Sequence, residues 1–557
     1  MTMPPAGAAA GPRPPTRDSV WAQVAGPWDV LVVGGGITGA GVFRGAVRAG
    51  LRTLLVEQHD FAWGASGRSS SLVHGGLRYL FHGQWALTRD AVRGREELLA
   101  AQPGLVTPIG YLAPDYGRGR TNLAWRVAMH GALRLYDRFA GQRRARYYGA
   151  AAFQLLAPGI AAPGLRGGFG WGDAQTDDAR LVYRVIQDGL AGGGAALNYV
   201  QADTLLRHAG RVVGAGVRDR EQARSGEVRA AIVVNATGAW ADVLRGPAGT
   251  PERMRPLRGS HLIFPGWRVP VAQAIAAYHP ADGRPISVVP WEGSTRVGTT
   301  DLDHDQPLDA EPRISPAELD YLLVAVNAIF PDLALDGPDV VATYAGVRPV
   351  ISAGQADPSA ESRDYAVWEE PGLVTVTGGK LTTFPQAARE TMTLVRRRLA
   401  EQGHDAAAAP GPARPGARAR QAPAPRLPDR LVSRYGDQAA AVAAAAHAGE
   451  LEPIPGTLAL WAEIRWAARA EMVHHLDDLL LRRTRLGVLL PRGGAAIWPA
   501  VQAICRQELG WDDARWAAEA DSYRARWRAC YSGPAHDTIS DGPPERTPGG
   551  ARPGVAE

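Results

Sequence analysis

The chain has 557 residues, too many for one compact core, and its 45% hydrophobic and 21% charged content is ordinary globular usage, so two to four folded domains are expected. The net charge of +5 is small and dispersed, which argues against a nucleic-acid partner, and no uninterrupted apolar run is long enough to suggest a membrane-spanning helix. Cys505 and Cys530 stand far from any other motif, so neither a disulfide framework nor a metal site is expected; the N-terminus lacks the pattern of a secretory signal, and a cytoplasmic location follows as an expectation.

In chain order, residues 1–27 are rich in Pro, Ala and Gly and read as a flexible extension. From Trp28 the pattern becomes strand, glycine turn, helix and a second apolar strand ending at Glu57. The later runs AAIVVNATGAW (Ala230 to Trp240) and GLVTVTGGK (Gly372 to Lys380) read as buried strands closed by glycine turns. Together they predict an α/β domain drawn from 28–110, 181–260 and 341–400. The stretches 111–180 and 261–340 mix strand and helix signals and suit an inserted α+β domain. Residues 401–428 form a Pro/Ala/Arg-rich linker, 429–533 carry the helical periodicity of an all-α C-terminal domain, and 534–557 read as a disordered tail.

In DVLVVGGGITGAG the strand leads directly into Gly34, Gly36 and Gly39, which fit G-x-G-x-x-G, with Ile37 and Thr38 opening the helix. The first glycine allows the tight turn, the second lets the backbone approach a pyrophosphate, and the third lets helix and strand pack closely; the helix N-terminus then faces the phosphates. Glu57 follows Gly36 by twenty-one residues, where a carboxylate accepts hydrogen bonds from ribose hydroxyls. Strand, glycines, helix and distal acid together predict a Rossmann-like dinucleotide site. This motif does not separate NAD from FAD; Ala236, Thr237 and Gly238 resemble the Ala-Thr-Gly segment beside the first unit in flavoproteins, which favours FAD.

Lysine and arginine together number 61, and only Lys380 is lysine. Where arginine has taken every other cationic position, the surviving lysine points to a need for a compact ammonium.

The segments RSSSLVHGGLRYL (Arg68 to Leu80), GSHLIFP (Gly259 to Pro265), PWEGSTRVGTTD (Pro290 to Asp301), TYAGVRPV (Thr343 to Val350), SRDYAV (Ser362 to Val367) and VTGGKLTTFPQAA (Val376 to Ala388) resemble, in order, the FAD-dependent, quinone-linked glycerol-3-phosphate dehydrogenases. EMVHHLDDLLLRRTRLG (Glu471 to Gly487) is similar to that family's helical domain. The resemblance implies an FAD flavoprotein that oxidises sn-glycerol 3-phosphate to dihydroxyacetone phosphate by hydride transfer from C2 to flavin N5, with a membrane quinone as acceptor. It implies flavin contacts from Ser69, Ser70, His74, Gly75, Gly76, Gly379, Lys380, Leu381 and Thr382.

The chemistry of the residues agrees. A phosphomonoester needs converging cations, and Arg78, Arg348 and Lys380, with Tyr79 as a further donor, stand in the matching motifs. Removing the hydroxyl proton needs an acceptor titrating near neutral pH, and His261 is the first choice, as base or as the residue orienting the hydroxyl. Arg348 or Lys380 stabilises the developing alkoxide. One departure stands out: Ser71 occupies a position where the family commonly has lysine, in the segment that wraps the flavin.

The resemblance implies peripheral membrane association; the segment Arg120 to Phe139 mixes arginines with aromatics and aliphatics at near-helical spacing and suits either the surface of a bilayer or, more commonly, an amphipathic helix packed on its own protein. The competing readings are a glycerol-3-phosphate oxidase that uses oxygen, an amine or amino-acid oxidase, and a flavin-binding redox sensor without turnover. The oligomeric state is not legible.

Overall fold

The computed structural model describes residues 16–81, 83–117, 122–246, 253–404 and 427–533. The expected N-terminal extension up to residue 15, the linker from 405 to 426 and the C-terminal tail lie outside the described residues.

Two sheets organise the molecule. In the first, Val30–Val33 are apolar at every position because the strand Pro27–Val33 is covered on both faces, as a central parallel strand must be. It pairs in parallel with Arg224–Asn235 on one side and Thr53–Val56 on the other. Leu373–Gly378 and Ala195–Leu197 continue the parallel core outward, and three antiparallel strands, Tyr365–Glu370, Val200–His208 and Arg211–Asp219, bring the sheet to eight. The helices Ile37–Arg48, Asp178–Ala191 and Phe384–Glu401 pack on one face around Phe43, Ile186 and Val395.

The second sheet has ten strands and is mostly antiparallel. Its centre is the run Met254–Pro265, Ser294–Gly298, Pro285–Trp291, Ala274–Tyr278, Val106–Asp115 and Gly167–Thr176, with Ala342–Ile351 on the other side of Met254–Pro265. Its strands therefore begin before and end after the segments 111–180 and 261–340 expected for the insert. The strand carrying Arg348 belongs to this sheet and not to the parallel one.

The C-terminal helices, from Asp429–Tyr435 to Asp513–Cys530, share a core with the second sheet: Leu479, Leu480 and Val501 pack in one cluster with Ile263, Trp291 and Tyr344. Just past the last helix, the carbonyl of Tyr531 accepts a hydrogen bond from the amide of Thr343 at 2.7 Å, so the end of the helical domain splints the strand Ala342–Ile351.

The seam between the helical domain and the parallel-sheet domain is lined with buried ion pairs. Asp60 accepts from Arg482 Nε at 2.6 Å and from both terminal nitrogens of Arg483 at 2.7 and 2.8 Å. Burial pushes the Asp60 carboxyl up, and the guanidiniums of Arg483 and Arg482 more than reverse it, holding it well below the usual carboxylate range. Arg180 forks onto Glu471 at 2.6 and 2.8 Å, and Arg434 binds Asp177 at 2.7 Å. His475 lies between Glu221 and Glu519, 3.0 Å from each. Burial alone would lower its pKa, and the two carboxylates raise it to about 10.

Candidate active site

The glycine turn is shaped for close approach. Gly34 has φ +112, and a Cβ there would lie 2.4 Å from the Ala236 carbonyl oxygen; a Cβ on Gly39 would lie 1.9 Å from the Gly34 carbonyl oxygen. Strand, turn and helix therefore fit together only with hydrogen at these positions. The amide of Ile37, at the helix N-terminus, donates to Ser66 Oγ at 3.0 Å. Glu57 Oε2 accepts from the amide of Gly35 at 2.7 Å, and Oε1 from the amide of His59 at 2.9 Å. Burial raises the Glu57 pKa, and those two amides partly offset the rise. Each oxygen retains lone-pair capacity toward the cavity that the residue lines.

That cavity, about 730 Å³, runs from the glycine turn past Ala236–Gly238 to the edge of the second sheet, where His261, Arg348 and Lys380 line it. The antiparallel register sets His261 opposite Gly298 and beside Tyr344. A Cβ on Gly298 would lie 2.4 Å from the imidazole, so glycine makes room for the ring, and Tyr344 stacks on it at 4.7 Å. Nε2 of His261 is hydrogen-bonded to Ser70 Oγ at 2.8 Å, and Nδ1 is buried without a partner among the described residues. Burial, reinforced by the charges of Arg296 and Arg348, holds the His261 pKa well below its usual value, so the ring is neutral at physiological pH.

Arg348 donates to Asp301 Oδ1 at 2.9 Å, to the Thr300 carbonyl at 3.2 Å and to Thr299 Oγ1 at 2.9 Å. Its guanidinium lies against Gly259, where a Cβ would come within 2.1 Å. Arg363 reaches the same Asp301 at 2.5 Å and Arg284 at 3.6 Å, and all four residues line the cavity. Three guanidiniums thus converge on one carboxylate, a local concentration of positive charge on this part of the cavity wall. Lys380 follows two positive-φ glycines, Gly378 and Gly379, and its Nζ sits 3.6 Å from the centre of the Tyr79 ring.

Among the expected cofactor residues, Gly34, Gly36, Ile37, Thr38, Glu57, Ser69, Ser70, His74, Ala236, Thr237, Gly238, Gly379, Lys380 and Leu381 line the cavity, as does Tyr79. Gly39, Gly75, Gly76 and Thr382 support it from behind: the amide of Gly75 donates to Tyr136 Oη at 2.8 Å, and Thr382 Oγ1 donates to the His74 carbonyl at 3.2 Å. A Cβ on Gly76 would lie 2.2 Å from the Tyr79 ring. Arg78 lies on the helix Leu77–Phe81, and its side chain is outside the described residues. Ser71 does not line the cavity; it is fully buried with φ +49, its Oγ without a partner among the described residues. Sequence reasoning missed Ser66, Arg284, Asp301 and Arg363. Asp301 and Arg363 stand inside matched motifs, and Arg284 has no local signal.

A cavity that joins a Rossmann glycine turn to a neutral imidazole and a cationic wall has the form of an FAD-dependent oxidoreductase. The sequence model of the FAD dependent oxidoreductases matches residues 29–394, and that of the C-terminal domain of alpha-glycerophosphate oxidase matches residues 412–516. Glycerol-3-phosphate dehydrogenase 2 of Mycobacterium bovis is 33% identical over 527 residues, covering 90% of this chain and 88% of that protein. The aerobic glycerol-3-phosphate dehydrogenase of Bacillus subtilis is 35% identical over 382 residues, 68% of each. The X-ray structure of the glycerol-3-phosphate dehydrogenase from Bacillus halodurans complexed with FAD superposes with a TM-score of 0.69 at 25% identity, over 92% of this chain and 96% of that one. The chain belongs to the FAD-dependent glycerol-3-phosphate dehydrogenase family, and its cofactor is FAD.

The residues fit that cofactor. Gly34 and Gly36 bring bare backbone to the cavity wall, the helix N-terminus beside them suits a pyrophosphate, and the Glu57 carboxylate suits ribose hydroxyls.

Proposed function

We propose that the protein oxidises sn-glycerol 3-phosphate to dihydroxyacetone phosphate. The observation that carries this reading is the cluster of Arg284, Arg348 and Arg363 on a single carboxylate, in the same cavity as the glycine turn and His261. Forked donors with surplus charge suit a dianionic phosphate better than a single carboxylate of an amino acid. In this reading Arg348 and Arg363 bind the phosphate, and Lys380 faces the reacting alcohol. His261, which lines the cavity, takes the hydroxyl proton, while Ser70 fixes the ring through Nε2. Bound FAD would supply the two-electron acceptor for the hydride that leaves C2.

The test is anaerobic mixing of the holoprotein with sn-glycerol 3-phosphate while the oxidised-flavin absorbance is followed. Rapid bleaching is expected; no bleaching by this substrate, with bleaching by D-amino acids, would overturn the reading.

We infer further that a membrane quinone receives the electrons. No described helix is long and apolar enough to cross a membrane. The helix Asn122–Ala140 buries Met129, Leu133 and Tyr136 in its own protein and exposes Leu123 and Val127 at its N-terminal end. Phe81 and Trp85 are exposed on the helices that it packs against, so these side chains supply an apolar face for a bilayer surface. Co-sedimentation with anionic liposomes and reduction of a soluble quinone analogue support this acceptor; turnover with oxygen alone points to the oxidase instead.

A further inference from the structure

Arg296 is a buried arginine, 1% exposed, on the strand Ser294–Gly298. It is two residues from Gly298, so it projects from the same face of the sheet as Gly298 and the His261 that Gly298 opposes. It forms no ion pair with a carboxylate among the described residues, which sets it apart from the arginines of the seam. Its guanidinium lies over the Trp291 ring, 5.1 Å from the centre, and does not line the cavity.

Its hydrogen bonds enclose the imidazole. One terminal nitrogen donates to the Ser70 carbonyl and the other to Tyr344 Oη at 3.3 Å. Tyr344 in turn donates to the Ser69 carbonyl at 2.9 Å and stacks on His261, whose Nε2 is bonded to Ser70 Oγ. Ser70, His261, Tyr344 and Arg296 therefore form a closed circuit in which each member is held by its neighbours. A buried charge without a carboxylate is costly, and this one is compensated only by neutral oxygens and a ring.

We propose that Arg296 is a positioning residue for the oxidation: its forked guanidinium ties the Ser70 loop to Tyr344, so that His261 is presented in one orientation beside a fixed positive charge. The charged groups facing His261 are Arg296 and Arg348, each on a neighbouring strand, and Tyr344 is its titratable neighbour. Fixed cations disfavour the imidazolium, so they keep the resting ring neutral, with its lone pair unprotonated, down to lower pH. The inference rests on His261 as the proton acceptor.

The experiment compares Arg296→Met and Arg296→Lys holoproteins with wild type by anaerobic flavin reduction from pH 5 to 9, and by NMR of ¹⁵N-histidine-labelled holoprotein. Arg296→Met is expected to slow reduction roughly tenfold or more at neutral pH, and to move the acid side of the pH profile to higher pH. KM for sn-glycerol 3-phosphate is expected to stay within about twofold, because Arg296 does not line the cavity. Arg296→Lys should return the pH profile to the wild-type position and leave the rate low, because an ammonium keeps the charge and loses the fork. The NMR signal of one histidine should titrate at higher pH in the Met variant only.

A wild-type rate and pH profile in both variants overturns the proposal. If Arg296→Met does not retain FAD, Ser70→Ala and Tyr344→Phe carry the test: both should slow reduction without moving the pH profile, and wild-type rates in both overturn it. His261→Gln separates the two levels. A wild-type rate there removes the proton-acceptor reading itself, whereas a slow His261→Gln beside an unaffected Arg296→Met removes only the role of Arg296.

Discussion

The seam and the cavity are both rich in arginine, and they use it in opposite ways. At the seam Arg483 and Arg482 converge on Asp60, Arg180 on Glu471 and Arg434 on Asp177, so nearly every cation has a carboxylate of its own or shares several. In the cavity wall three arginines converge on the one carboxylate of Asp301. The first arrangement is neutral and rigid, and joins domains. The second leaves charge unspent for an anionic ligand. Arginine content says nothing of which is which; the ratio of guanidinium to carboxylate does.

This contrast is open to direct attack. Arg348→Ala should cost the most, lowering kcat/KM for sn-glycerol 3-phosphate about a thousandfold, or about 4 kcal/mol, with little change in thermal stability. A large loss of stability in that variant would place Arg348 with the seam residues. Asp60→Ala should do the reverse: about 3–5 kcal/mol of stability lost in a denaturant titration, with KM unchanged, because it strands the buried Arg483 guanidinium and removes one of the carboxylates around Arg482.

Lys380→Arg should slow flavin reduction about a hundredfold, since a guanidinium can stack on the Tyr79 face but cannot put the compact point charge of the ammonium in the same place. A wild-type rate would make the lone lysine incidental. The smallest effect belongs to His475→Gln, about 1–2 kcal/mol of stability at neutral pH. The native pKa is raised to about 10 from 6.5, so the stabilisation is full below about pH 6.5 and lost as pH rises through about 10. Thermal melts of the two proteins should therefore differ at pH 6 and converge above pH 10.

The glycine turn was legible in the sequence because its chemistry is local: strand, turn and helix are consecutive, and Glu57 ends the next strand. Ser66 was not, since its bond to the Ile37 amide spans twenty-nine residues and no spacing rule links them. Arg284 and Arg363 lie far apart in the chain and meet only because the sheet brings Asp301 between them. Lys380 stood out by rarity, an accident of composition that no arginine shares. The boundary of the insert was misplaced around Ala342–Ile351 because an apolar strand carries no mark of the sheet that it will join. Ser71 is a departure in the flavin-wrapping segment, yet it is buried and does not line the cavity, whereas Ser69 and Ser70 do.

The bond from Thr343 to the Tyr531 carbonyl has a consequence for synthesis. A chain emerging from the ribosome presents the glycine turn first and can assemble the parallel sheet once Gly378 is out. The strand that carries Arg348 waits for its last partner until Tyr531 has left the exit tunnel, about one hundred and fifty residues later. The strand Ala342–Ile351 thus gains its last backbone partner late in synthesis, well after the glycine turn and the parallel sheet can form.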